Sequence, residues 1–94
     1  MEETLYITNL YEYYKELLTE KEKSYFEDYY YENLTMEEIA DNNEISKNAI
    51  SKTLKEVKNK LNDYESKLNL KSNYDTIKNE YLKKDIDQYA KLIY

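Results

Sequence analysis

Lys47, Asn48, Ser51, Lys52, Lys55 and Lys58 lie within one short stretch of this chain. On a helix, their three- and four-residue spacing gathers them on one side. Ammonium, amide and hydroxyl groups in that array suit phosphate oxygens and nucleic-acid base edges. The competing reading is that they are only the solvated face opposite an apolar stripe. Other chemistry is poorly supplied. With no His there is no side chain that titrates near neutral pH unperturbed, and with no Gly there is no glycine-rich phosphate loop. The carboxylate pairs Glu27-Asp28 and Glu37-Glu38 fall on expected solvent faces, and no Asp/Glu set has metal-ligand spacing. The sequence points to a non-enzymatic protein with no metal and no cofactor.

The element that must carry the lysines is the second helix of a helix-turn-helix, expected over about 35–60. Thr35 and Glu38 form a capping-box pattern ahead of an apolar face made by Met36, Ile39 and Ala40. Asp41-Asn42-Asn43-Glu44 breaks this first helix, with Asn favoured for a left-handed turn position. Ile45 points inward from the turn, and Ser46 is a good N-cap for the next helix. That helix, expected over about 47–68, places Ala49, Ile50, Leu54, Val57 and Leu61 on one stripe. Ile39, Ala40, Ile45, Ile50 and Leu54 are the expected core of the motif. The second helix then faces outward with its lysines.

The rest of the chain fits one all-α domain spanning residues 1–94, with about five helices. A first helix over residues 3–17 would bury Tyr6, Leu10, Tyr13 and Leu17, widened by Ile7 and Tyr14. Thr19 and Glu22 repeat the capping-box pattern, opening a helix to about Tyr31 whose inner side is Phe26, Tyr29 and Tyr30. That aromatic cluster can stack bases, although a place in the core is the commoner use. Ile50, Leu54, Val57, Leu61, Tyr64 and Leu68 continue one seam with coiled-coil-like spacing. A last helix over about 73–93, capped by Ser72 or Asn73, would return along it as a C-terminal hairpin. Leu61, Tyr64, Leu68, Tyr81, Ile86 and Tyr89 are the expected partner interface, with a homodimer the simplest use.

Charge is unevenly spread. The chain carries a net −6, yet residues 46–60 hold five lysines against one glutamate, while residues 1–45 hold 13 acids against three lysines. A local basic strip can steer a polyanion, although the acidic remainder weakens the attraction. Lack of Cys fits a reducing cytoplasm, and no apolar run approaches transmembrane length, so no membrane insertion is expected.

The segment from Leu17 to Leu70 resembles the YlxM family of small bacterial helix-turn-helix proteins. The matching residues are Leu17-Leu18-Thr19-Glu20-Lys21, the pair Tyr29-Tyr30, Leu34, Glu38-Ile39-Ala40, Ser46, Ala49, Tyr64-Glu65, Lys67-Leu68 and Leu70. The helix-turn-helix part also resembles many regulators, including the fourth region of sigma factors. The YlxM resemblance implies an accessory or regulatory component of the bacterial signal recognition particle (SRP), acting through SRP RNA and/or the SRP GTPase. Two departures stand out. Lys47-Asn48 replaces the family's usual Arg-Gln pair, and Ser51-Lys52 replaces a Tyr-Asp pair. Lysine lacks the two-pronged fork of arginine, which weakens sequence reading more than phosphate contact. The alternatives are a DNA-binding transcriptional regulator using the same helix in a major groove, and an adaptor that binds protein through the acidic N-terminal half.

Overall fold

The local sequence rules act most clearly at the helix starts. Thr19 and Glu22 form a reciprocal capping box, with each side chain accepting from the other's backbone N–H at 3.1 and 2.9 Å. Thr35 and Glu38 repeat the arrangement, and the Ser46 hydroxyl accepts from Ala49 N–H at 3.1 Å. These caps satisfy amides that the first helical turn leaves without partners. In the computed structural model, which describes residues 2–73, the resulting elements are α1 (Glu2–Tyr14), a 3-10 turn (Lys15–Leu17), α2 (Glu20–Tyr30), α3 (Met36–Asn43) and α4 (Lys47–Leu68). The fold is all-α, with no strand among the described residues. The expected C-terminal helix over about 73–93, the hairpin it would form, and Tyr81, Ile86 and Tyr89 lie outside the described residues.

Helix α4 packs against α1, α2 and α3. Its seam supplies both apolar clusters. Ile50 and Leu54 join Ile39, Ala40 and Tyr25 in the helix-turn-helix core. Val57 and Leu61 join Ile7, Leu10, Tyr11, Tyr14, Leu18 and Phe26 in the second cluster. The expected motif core is therefore found, with Ile45 only half-buried and with Tyr25 added from α2. Tyr11 lies flat on Phe26, ring centroids 4.2 Å apart, a geometry worth about 0.5–1.5 kcal/mol beyond its buried area.

Three expectations are corrected. The inner face of α1 is Ile7, Leu10, Tyr11 and Tyr14, whereas Tyr6 and Leu17 are exposed and Tyr13 is half-buried. The expected spacing was helical but set one residue off, because Tyr at 6, 11, 13 and 14 fits either side of the pattern. In α2 the fully buried positions are Glu22, Tyr25 and Phe26, with Tyr29 and Tyr30 half-buried. At the motif's turn, α3 runs on through Asn43, whose amide donates to Ile39 O at 2.7 Å, and Glu44 takes the left-handed position at φ 56°. Asn43 spends its side chain on the helix and leaves the turn to its neighbour.

The far end of α4 is pinned by a polar cluster. The Tyr14 hydroxyl donates to Glu65 Oε1 at 2.6 Å and accepts from Leu70 N–H. Glu65 also accepts from the Lys71 and Ser72 amides. Asn69 turns left-handed at φ 53°, and residues 70–73 are already helical. A carboxylate six and seven residues back in α4 thus meets the amides of this new turn, while the helix that Ser72 or Asn73 was expected to cap lies outside the described residues.

Two stability predictions follow from this packing. Ile50→Ala should cost about 2–5 kcal/mol in urea unfolding, as for truncation of a fully buried aliphatic side chain; a loss under about 1 kcal/mol would place Ile50 outside the core. Glu22 gives a pH signature. Burial alone would raise its pKa, but the Lys60 ammonium at 2.7 Å and the Thr19 amide outweigh burial and hold it below the ordinary 4.5. A depressed folded-state pKa adds stability that is complete above the unfolded value and lost as pH falls through the folded one. Wild type should therefore lose stability more steeply than Glu22→Gln between about pH 5 and about pH 3. Parallel profiles would remove the pair from that role.

Candidate nucleic-acid interface

Outward presentation of α4 follows from its seam: once Ile50, Leu54, Val57 and Leu61 are inside, the opposite side faces solvent. Asn48, Lys52 and Lys55 are exposed there, and Ser51 is half-buried. Among the described residues, Lys52 and Lys55 form no ion pair. The other two lysines differ. Lys47 Nζ lies 3.0 Å from Glu37 Oε1, which ties the start of α4 to α3. Lys58 is half-buried between helices, with its Nζ 4.0 Å from Glu3 Oε1 and 6.0 Å from the centre of the Tyr30 ring. The Tyr30 hydroxyl, and then Glu3, hold the Lys58 pKa above the ordinary lysine value, so it is a permanent cation. The six expected residues thus share one helix side but form two groups. Asn48, Lys52 and Lys55 make a free convex strip. Lys47 and Lys58 flank a recess, with Ser51 and Lys55 between the two.

That recess is the feature the sequence did not reveal. It is an open groove of about 530 Å³ between the α2–α3 connection, the start of α1 and the start of α4, lined in part by Tyr29, Tyr30, Met36 and Lys47. Two smaller depressions continue it along α4, and both share Tyr29, Tyr30 and Lys58. Only the run of adjacent tyrosines hinted at it.

Lys60 belongs elsewhere despite its place in the basic stretch. It reaches to Glu22 on the other side of α4. The partner-interface expectation is corrected at Leu61, which is 0% exposed inside the chain's own core. Tyr64 is half-buried against Tyr14, with its hydroxyl 3.5 Å from Leu17 O. Leu68 is 48% exposed, so a homodimer built on this seam would rest on Leu68 and not on Leu61. Among the described residues no helix is long and apolar enough to cross a membrane.

Comparison with known proteins adds a family. The model of UPF0122, YlxM / p13-like helix-turn-helix proteins, matches residues 1–92. A UPF0122 protein of Mycoplasma mycoides is 43% identical over 77 residues, covering 82% of this chain and 68% of that protein. UPF0122 protein YofM of Lactococcus lactis is 36% identical over 90 residues, with 96% and 80% covered. A UPF0122 protein of Fusobacterium nucleatum is 35% identical over 95 residues, with 94% and 92% covered.

The two ion pairs at the recess generate a prediction. Glu3 and Glu37 compete with any polyanion for Lys58 and Lys47. Glu3→Gln combined with Glu37→Gln should tighten RNA binding by about two- to tenfold at low salt, with the gain shrinking as salt rises. Unchanged affinity in a titration at two salt concentrations would mean these lysines do not meet the ligand.

Proposed function

This chain belongs to the UPF0122 family of YlxM / p13-like helix-turn-helix proteins, and from that premise we propose that it is a non-catalytic, cytoplasmic accessory protein of the bacterial signal recognition particle pathway. Its ligand in this reading is SRP RNA, with the SRP GTPase as a second partner through the same region. The observation that carries the nucleic-acid part is the strip of Asn48, Lys52 and Lys55 on the outer side of a packed, capped α4, beside Lys47, Ser51 and Lys58. The SRP part rests on the YlxM resemblance of the segment from Leu17 to Leu70. Binding is electrostatic docking on phosphates, with Asn48 and Ser51 adding hydrogen bonds.

The DNA-regulator reading draws on the same helix-turn-helix. It is disfavoured by the exposed helix itself, which offers lysines and no arginine for bidentate reading of guanine, on a chain of net charge −6. A major-groove reader should prefer its site over random duplex by at least about a thousandfold. Selection from a random duplex library should yield no consensus; a clear one would favour the regulator.

Roughly four phosphate contacts give a log–log salt slope of about −3 to −4, nearer −3 on single strands. Lys47→Glu, Lys52→Glu and Lys55→Glu together should abolish binding to SRP RNA with helicity unchanged by circular dichroism. If that triple variant binds SRP RNA as tightly as wild type, the strip is a solvated face.

A further inference from the structure

We infer that the recess beside α4 is a stacking subsite for unpaired nucleotides of an RNA strand, with Tyr30 and Tyr29 taking bases and Lys47, Lys55 and Lys58 taking the phosphates on either side. This rests on the RNA reading above and specifies which part of an RNA is held.

Aromatic and cationic groups meet here in one place. Tyr29 and Tyr30 sit on the last turn of α2, edge to face with ring centroids 4.9 Å apart. Tyr30 is backed by Phe26 at 4.4 Å, so its ring is braced from within the core and is only half-buried. A braced tyrosine loses little conformational freedom when a base stacks on it, and base–aromatic stacking tolerates any base. All three adjoining depressions include both tyrosines. Their rims carry Lys47 at one end and Lys55 along α4, while Lys58 Nζ sits over the Tyr30 ring, 6.0 Å from its centre, so a base stacks on Tyr30 only as that ammonium moves aside to a phosphate. Cations beside aromatic rings suit a strand whose phosphates and bases alternate.

The site selects against a duplex because a paired base, stacked on its neighbours, has no free face to offer the tyrosines. A duplex can still meet the convex strip of Asn48, Lys52 and Lys55. The carboxylates of Glu3 and Glu37 lie on the rim and pair with Lys58 and Lys47. Entry of a phosphate exchanges one anion for another at each lysine, so the two ammoniums are never left uncompensated.

The test uses the full chain, a fluorescein-labelled oligouridine of about 12 nucleotides and a labelled RNA duplex of similar length. Tyr30→Leu should weaken oligouridine binding by about five- to hundredfold while duplex affinity stays within about twofold, and Tyr30→Phe should bind oligouridine as wild type does. Photocross-linking of wild type to 5-iodouracil-substituted oligomer should map to Tyr29 or Tyr30, which decides the matter if Tyr30→Leu fails to fold. Wild-type affinity for oligouridine in a folded Tyr30→Leu variant overturns the subsite, as do cross-links that map elsewhere, or a loss in Tyr30→Phe as large as in Tyr30→Leu. If wild type binds oligouridine and duplex and the lysine variant loses both, the RNA reading stands without the subsite. If wild type binds neither, both fall.

Discussion

The arrangement turns on one buried carboxylate. Glu22 closes the cap of α2 through the Thr19 amide and, with its other oxygen, accepts from Lys60 of α4. Its side chain is nearly sealed from solvent, whereas Lys60 is partly exposed. A buried carboxylate without these partners would be strongly unfavourable, so the two bonds act as a condition on the fold more than as a source of stability. The condition is geometric. It fixes the start of α2 against the middle of α4, and with it the rotation that turns Tyr25 and Phe26 inward. The same rotation leaves Tyr29 and Tyr30 at the border between core and solvent, facing the lysines of α4.

A second consequence concerns charge. The acids of residues 1–45 are not spread at random around the lysines of α4. Glu3, Glu22 and Glu37 each reach a lysine of that helix, at 4.0, 2.7 and 3.0 Å. The basic stretch is thereby divided. Lys60 is committed to structure, Lys47 and Lys58 are held in exchangeable pairs, and Lys52 and Lys55 face solvent. Exposed pairs contribute little to stability, so the pairs with Glu3 and Glu37 matter mainly for what they do to the local field.

How much of this was readable depended on the range of the signal. Helix starts are written locally in side chains three residues apart, and Thr19, Thr35 and Ser46 were legible as caps. The α4 seam was legible because aliphatic residues at helical spacing leave one choice of inner face. Helix α1 was not, because tyrosine suits both a core and a border, and four tyrosines within nine residues blur the period. Long-range pairs left no local trace at all. Nothing near Glu22 announces Lys60, and nothing near Tyr14 announces Glu65. The candidate strip was legible as residue types on one helix side, but its division between a free ridge and an aromatic recess depends on α1 and α2 packing beside α4. Leu61 was misassigned for the same reason: the seam showed that it was apolar, not which neighbour covered it.

Three joints of the chain, at Asn33, Glu44 and Asn69, are left-handed, with φ of 57°, 56° and 53°. Each lacks the glycine that would adopt this conformation freely, at a cost on the order of 1 kcal/mol per joint. A chain without glycine also explores a narrower unfolded ensemble and has less freedom to surrender on folding. The mechanical result is that these junctions behave as set angles and not as swivels. Glu44 in particular is held in a narrow, strained well by its surroundings and not by its own preference, so α3 and α4 cannot scissor about it without breaking the shared packing of Ile39 and Ile50. Whatever meets the outer side of α4 therefore meets a rigid, pre-angled surface, and any adjustment needed for fit falls to the ligand.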